Sequence, residues 1–518
     1  MPGSIRFIDP PSREEIRERA ASYGIGLNDL EVAYVDQAIH ENLARFRRID
    51  RLPDPSPERT YMERDPGYRP DEDEDPYNAF VTKCRVPGAD GGSLAAVEVG
   101  LKDNIALAGV PTTMGSPAMD DYVPTRDATV VTRLLDAGAT ITGKLSMTPF
   151  SVGDSFHDHG RNPRDPSRDA GASSTGSAIA VVTGDVDVAI GADQGGSIRQ
   201  PSAWCGCVGL KPSRGLVPYT GIQGLDHTID YVGPMTATVE DCARTLEAIA
   251  GYDRLDPRQD QPVEAESYTD AIGTDIDDLT VGVLKEGFET GGANEAVHDA
   301  VRDAIDYLEA LGATTTEVSV PWHPDGAALS TAIITEGVAM NIQHDGITPF
   351  SQGYQDVGFA DAFGKARRVR GDDISLRVKA RLIFGDYLGD KYQHRYYARA
   401  QNLARELTGA YDDALENVDL LALPTWNDVA PELPEIDSYE DAIEATKESW
   451  ETHSSSTTSQ FNVSGHPALT IPCGTVDDLP VGLQLVGDRF GERTLFRAAD
   501  AYERAVDWES DVAHVSGE

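Results

Sequence analysis

A chain of 518 residues, 40% hydrophobic and 25% charged, has room for roughly two to four structural units and rules out collagen-like, mucin-like or wholly disordered organisation. Its 87 acidic against 44 basic side chains leave a formal net charge of −43, and only nine of the cations are lysines. An acidic, lysine-poor surface suits concentrated salt, where screening over about 3 Å at 1 M relieves self-repulsion, so a halophilic origin is expected. The same balance predicts no nucleic-acid partner, because phosphates are met by clustered Lys and Arg. Five cysteines with no C-x-x-C pair give no disulfide framework, the first residues lack a signal-peptide core, and nowhere do 18 apolar residues run together. A reducing, cytoplasmic location with no membrane partner is the expectation.

Over residues 12–48, Leu27, Leu30, Tyr34, Ala38, Leu43 and Phe46 recur at helical spacing in a charged stretch. This predicts an amphipathic helical arm, read here as the contact of a homodimer. Residues 51–76 are dense in Pro, Asp, Glu and Arg and cannot bury much apolar surface, so they read as a linker or wrapping segment. Residues 1–76 are therefore expected to form arm and linker, and 77–518 the catalytic domain. After Tyr77, apolar runs at 94–99, 139–143 and 186–191 alternate with helical stretches at 128–137 and 174–183. The alternation resumes with strands at 279–284, 315–320, 420–423, 468–471 and 481–486 and helices at 296–311 and 493–506. This is α/β spacing. A mostly helical insertion is expected over 322–416, and the hydroxyl-rich run 454–459 is too brief to be a linker by itself.

Chemistry is densest over residues 169–212. Two small-residue clusters, Gly171-Ala172-Ser173-Ser174-Thr175-Gly176 and Gly195-Gly196-Ser197, each precede a helical stretch. Such loops expose unpaired backbone N–H groups that can cradle an oxyanion, although either one alone is equally readable as a tight turn that lets helices pack. Lys102 ends an apolar strand in VGLKDNIALAG. Standing alone it is a solvated strand-end cation; facing the two serine loops it is a reactive group.

These three pieces in this order resemble the amidase signature family. The resemblance runs through Gly195-Gly196-Ser197-Ile198-Arg199, Cys205-Gly206 and Gly209-Leu210-Lys211-Pro212, and includes Gly233-Pro234-Met235 and Gly465-His466-Pro467-Ala468. It covers most of the chain after Tyr77, and the arm and DQGGSIR wording are most similar to amidases that work with nitrile hydratases. It implies an α/β amidase signature fold, a mixed β-sheet core covered by helices on both faces, with an N-terminal helical arm. It places the nucleophile on Ser197, a bridging serine on Ser173 after a cis Ala172–Ser173 peptide, and the lysine on Lys102. No cofactor and no metal are implied. Ala172 and Thr175 stand where the family usually has glycine.

Amide hydrolysis needs a nucleophile, a base, an acid for the leaving amine and donors for the tetrahedral oxyanion. Ser197 supplies the first; neither loop contains histidine, so a lysine kept neutral by desolvation is the expected base, acting through Ser173. The backbone N–H groups of Gln194, Gly195, Gly196 and Ser197 are expected to form the oxyanion hole. The function read from this is hydrolysis of a small carboxamide to carboxylate and ammonia through a Ser197 acyl-enzyme. The alternative is an A-type subunit of a glutamine-dependent amidotransferase in a tRNA-dependent complex, and a third reading is a catalytically inactive binding protein, which the three intact reactive groups oppose.

By resemblance, Asp193 and Arg199 pair to hold the loop, and Ser174 reads as a helix cap or a donor behind the relay. His157 and His159, with Asp154 or Asp158, lack a third ligand at a recognised spacing and read as a polar loop rather than a metal site. Cys205 and Cys207 read as buried apolar cysteines. Trp426 either lines the acyl pocket or packs.

Overall fold

Alternating strands and helices produce, in the computed structural model, one mixed sheet of twelve strands among the described residues, with helices on both faces. Residues 8–53, 60–153, 160–259, 261–290, 294–452 and 457–506 are described. The chain divides into two compact units, residues 1–58 and 59–518.

The first unit is a helical hairpin of α1 (Arg13–Ser22) and α2 (Asp29–Ile49). Both helices begin with a capping box, Ser12 with Glu15 and Asn28 with Glu31, each side chain satisfying the other residue's N–H. The single helical pattern read over 12–48 is therefore interrupted: Gly24, at φ +71°, ends one helix and Asn28 starts the next. Ion pairs Arg13–Asp36 and Arg17–Asp29 tie the helices together. Ile16, Val32 and Leu43 are buried, whereas Leu30, Tyr34 and Phe46 are exposed.

The second unit carries β1 (Asp65–Tyr68), β2 (Phe80–Pro87), β3 (Glu98–Lys102), β4 (Thr140–Leu145), β5 (Val188–Asp193), β6 (Val208–Lys211), β7 (Tyr231–Thr236), β8 (Thr280–Leu284), β9 (Thr314–Val318), β10 (Leu420–Pro424), β11 (Ala468–Val476) and β12 (Leu479–Gly487). Their spatial order is β1-β2-β4-β3-β5-β7-β6-β11-β12-β10-β8-β9. β3 runs parallel to β4 and β5, and β8 parallel to β9 and β10; the other neighbours are antiparallel. β5, β7, β10 and β12 are buried at every residue, as strands covered on both faces must be. β3 begins four residues later than the apolar run suggests, which makes Lys102 its last residue and buries the side chain.

Helices α3 (Thr129–Asp136), α4 (Thr175–Val182), α5 (Arg199–Cys205), α6 (Val239–Ile249), α7 (Lys285–Glu289) and α8 (Glu295–Ala310) are threaded between the strands. α9 (His323–Gln343), α10 (Val357–Val369), α11 (Leu376–Tyr392) and α12 (Arg395–Leu415) occupy the stretch before β10, and α13 (Tyr439–Thr452), α14 (Ser459–Ser464) and α15 (Glu492–Ala505) follow it. α3, α6, α8 and α15 share the large core; α4 supplies Ala178, Ile179, Ala180, Val181 and Val182 to a smaller one with Phe80, Leu145 and Met235. Among the described residues no helix is long and apolar enough to cross a membrane.

Candidate active site

β3, β5 and the starts of α4 and α5 bring the three singled-out residues together. Lys102 is wholly buried, and its Nζ donates to Ser173 Oγ at 2.7 Å and to the Ala192 carbonyl at 3.0 Å. Desolvation drives its pKa down from 10.5 to about 7, against the opposing pull of Asp193 and Asp230. Ser173 also reaches Ser197, its backbone N–H donating to Ser197 Oγ at 3.2 Å. The Ala172–Ser173 peptide is trans, so the implied cis bond is not found. In this arrangement Ser173 meets Lys102 with its hydroxyl and Ser197 with its N–H, and no hydrogen bond joins the two hydroxyls among the described residues.

The loop after β5 is built around Asp193, whose buried carboxylate accepts from the N–H groups of Gly196 (2.7 Å) and Ile198 (3.1 Å). Arg199 donates to both of its oxygens, at 3.0 Å each, and Asn462 Nδ2 to one at 2.8 Å. Burial pushes this carboxyl up, but the Arg199 guanidinium and the donors of Asn462 and Ile198 overcome it and hold it well below the usual carboxylate range. The remaining Arg199 donors go to the Thr458 carbonyl, Gln484 Oε1 and Asn462 Oδ1. Asp193 therefore occupies the Gly196 N–H, while those of Gln194, Gly195 and Ser197 have no acceptor among the described residues. Gly196 sits at φ +127°, and a Cβ there would run into the Thr458 hydroxyl, which itself donates to the Gly195 carbonyl at 2.7 Å.

The first serine loop is tied in similar fashion. Thr175, one of the two departures from glycine, donates its hydroxyl to the carbonyls of Gly171 and Ala172 and closes the loop. Ser174 occupies the residue before α4 but makes no cap; its hydroxyl donates to the Ala192 carbonyl and accepts from the Ala192 N–H, fastening the loop to β5. Gln194 Nε2 donates to the Tyr219 hydroxyl at 3.0 Å. Asp230 lies buried nearby, its pKa pushed up to about 7 by burial.

Sequence reasoning missed Asp230, Thr458, Asn462 and Gln484. For two of them a signal existed: Thr458 belongs to the hydroxyl run 454–459, and Asn462 lies just ahead of Gly465-His466-Pro467. Cys205 and Cys207 are buried, and burial raises both thiols, Cys205 well above its ordinary value and Cys207 to about 12. Trp426 packs edge-on against Trp204 with ring centroids 5.9 Å apart. Asp154, His157, Asp158 and His159 lie outside the described residues. Asp412, His466 and Asp488 have potential metal-ligand atoms within 4.8 Å of one another. His466 Nδ1 and Nε2 are already engaged by Ser464 and Asp412, Arg489 holds the second Asp412 oxygen, and burial lowers the imidazole pKa to about 3. The cluster is therefore read as a polar clamp between α12, the turn before β11 and the turn after β12.

Residues 79–496 match the family model for amidases. The A subunit of the glutamyl-tRNA(Gln) amidotransferase of Natronomonas pharaonis is 39% identical over 432 residues, which cover 82% of this chain and 99% of that protein. An enantioselective amidase of Rhodococcus rhodochrous is 37% identical over 516 residues, 96% of each chain. The crystal structure of the A subunit of glutamyl-tRNA(Gln) amidotransferase from Thermotoga maritima, 28% identical, gives a TM-score of 0.71 over 86% of this chain and 92% of that one. These findings correct two expectations. A free-standing hydrolase of small carboxamides is displaced by the runner-up, because the relatives at 35–39% identity include A subunits of this amidotransferase from several organisms. The expected partners, a small amide alone, no nucleic acid and a homodimer through the arm, fall with it, since those relatives are named as subunits of a glutamyl-tRNA(Gln) amidotransferase.

Proposed function

We propose, from the premise that this chain belongs to the amidase signature family and acts on amide C–N bonds, that it is an A-type subunit of a glutamine-dependent amidotransferase working in a tRNA-dependent complex. The observation that carries the chemistry is a buried Lys102, its pKa lowered to about 7 by desolvation, hydrogen-bonded to a serine that also touches Ser197. The transfer role is supported by the near-complete coverage of the Natronomonas pharaonis relative. The family match begins at residue 79, so the helical hairpin takes no part in the reading.

In this account Ser197 Oγ attacks the side-chain carbonyl of glutamine. Its proton passes to the Ser173 hydroxyl, whose own proton moves to neutral Lys102 Nζ, a step that requires the Ser173 hydroxyl to swing within hydrogen-bond distance of Ser197 Oγ, which among the described residues meets the Ser173 N–H alone. The tetrahedral oxyanion is met by the free N–H groups of Gln194, Gly195 and Ser197, with Gly196 committed to Asp193 as a support of the loop. Lys102 returns the proton through Ser173 to the departing nitrogen, and ammonia leaves. Water then attacks the γ-glutamyl ester on Ser197, freeing glutamate and restoring the Ser197 hydroxyl, while the ammonia passes to the partner that holds the glutamyl-tRNA. A cytoplasmic location and a salt-adapted surface belong to the same reading, the latter supported by the net charge of −43.

The test is to assay the purified full chain in KCl for ammonia release from glutamine, alone and with the other amidotransferase subunits of its source organism. Glutaminyl-tRNA should form from glutamyl-tRNA only in the mixture. Efficient turnover of propionamide or benzamide by the chain alone, with glutamine untouched, would refute the assignment.

A further inference from the structure

The cations of this acidic chain are unevenly spread. Eleven of its 44 lysines and arginines lie between Lys365 and Arg405, accompanied by four aspartates and no glutamate. That stretch is positive in a molecule of net charge −43, and a whole-chain count conceals it. It covers the end of α10, all of α11 and the first half of α12.

Some of these cations are tied down, Arg367 by Asp345, Arg370 by Asp373 and Lys391 by Asp390. Arg395 and Arg399 are different. They stand one turn apart at the start of α12, exposed, with no hydrogen bond or ion pair among the described residues. Beside them three tyrosines form an exposed chain of edge-on rings, Tyr387 to Tyr392 at 6.0 Å and Tyr392 to Tyr396 at 5.6 Å between centroids. Each ring is 41–48% exposed, and Ile383 and Phe384 extend the apolar surface one turn back along α11. The corner is anchored from beneath: buried Glu336 of α9 accepts from the Tyr397 N–H and pairs with His394.

Arginine and tyrosine together mark protein interfaces as well as nucleic-acid surfaces. What favours RNA is that the exposed rings share this corner with Arg395 and Arg399, which stand one turn apart and unpaired among the described residues, with Arg399 three residues on from Tyr396 along α12, so that surfaces for bases and for phosphates are offered together. Concentrated salt weakens phosphate attraction, whereas stacking of bases on rings persists, so an RNA surface on a salt-adapted protein needs the tyrosines. We propose that the α11–α12 corner binds RNA, with bases stacked on Tyr387, Tyr392 and Tyr396 and phosphates against Arg395 and Arg399. This rests on the amidotransferase reading and adds to it the place where the tRNA touches this subunit.

The experiment is fluorescence anisotropy of labelled unfractionated tRNA titrated with the full chain across a KCl series. Arg395→Glu/Arg399→Glu should lose at least about tenfold in affinity and flatten the log–log salt slope by about 1.4, two single-strand phosphate contacts. Tyr392→Ser/Tyr396→Ser should lose about 25-fold or more in molar KCl with the slope unchanged, at least about fivefold per ring. Arg302→Glu on α8 should bind as wild type, and circular dichroism melts establish that each variant is folded. No tRNA binding by wild type at any KCl concentration, or equal binding by all variants, overturns the proposal. Poly-glutamate competing as well as tRNA, with the tyrosine variant unaffected, overturns it in favour of an acidic protein partner. Glutamine hydrolysis by the same wild-type preparation separates the two readings: its absence beside intact tRNA binding refutes amidotransfer and not this surface, and its presence without tRNA binding refutes this surface alone.

Discussion

Replacing Lys102 by methionine tests the neutral lysine through stability rather than rate. In the folded chain burial brings the amine from 10.5 to about 7, so between these values the unfolded chain binds a proton that the folded chain does not. The contribution of this residue to stability is therefore least favourable, and flat, below pH 7, and it improves as pH rises toward 10.5. From pH 6 to pH 9 the gain amounts to about 3 kcal/mol. Methionine keeps the length and cannot titrate. It also deprives Ser173 Oγ and the Ala192 carbonyl of their donor, a roughly pH-independent loss of about 1–3 kcal/mol. Urea unfolding of both proteins at pH 6 and pH 9, in the same KCl, should show the variant comparatively better off at pH 6 by about 3 kcal/mol. A stability difference that does not move with pH would mean that Lys102 is not depressed by burial, and the general-base role would fail with it. In the wild type the same ionisation predicts turnover at pH 6 of about one tenth of its plateau above pH 8.

Other outcomes follow from the same geometry. Ser197→Ala should lower ammonia release by about a thousandfold or more with an unchanged circular dichroism spectrum, and near-full turnover in the folded variant would remove Ser197 as nucleophile. Arg199→Met leaves the Asp193 carboxylate buried without its cation and should cost about 3–5 kcal/mol in urea unfolding at pH 7. Because the Asp193 carboxyl is depressed in the folded state, its stabilisation is present above the ordinary aspartate range and lost as pH falls, so the Arg199→Met penalty should shrink in acid; a pH-independent penalty would contradict the pairing. The unfolding temperature of the wild type should rise between dilute buffer and molar KCl as screening relieves the net charge of −43, and a salt-independent melt would refute salt adaptation.

What could be read in the sequence was local. Lys102 and the two small-residue loops stand out because each is a short run of unusual composition, a strand-end lysine in a lysine-poor chain and two clusters rich in Gly and Ser, whereas the choice of Ser173 over the adjacent Ser174 and Thr175 is implied by the resemblance to the amidase signature family alone. The groups that hold these loops could not, since Arg199 is gripped by Thr458 and Gln484, 259 and 285 residues away, and no local period announces such a contact. β1 was hidden for another reason: Asp65-Pro66-Gly67-Tyr68 has the composition of a turn and becomes a strand only by pairing with β2. Of the two roles expected for Ser174, the cap is not made, because the carbonyl and N–H of Ala192 on the adjacent strand compete successfully for its hydroxyl, which thereby donates to the same carbonyl that Lys102 Nζ reaches. Hydrolase and transferase share the same acyl-enzyme chemistry, so the residues around Ser197 do not separate them. The positive corner at Arg395 and Arg399 is hidden within the net charge of −43, because the acidic excess of the rest of the chain outweighs it.

The most direct measurement of the central claim is to mix the full chain with glutamine, quench with acid within one turnover and map the peptides by mass spectrometry. A γ-glutamyl ester on the peptide containing Ser197, absent from Ser197→Ala and sparse in Lys102→Met, is the result this account predicts. Ammonia released without any acyl group on that peptide, or an acyl group carried by a different residue, would contradict it.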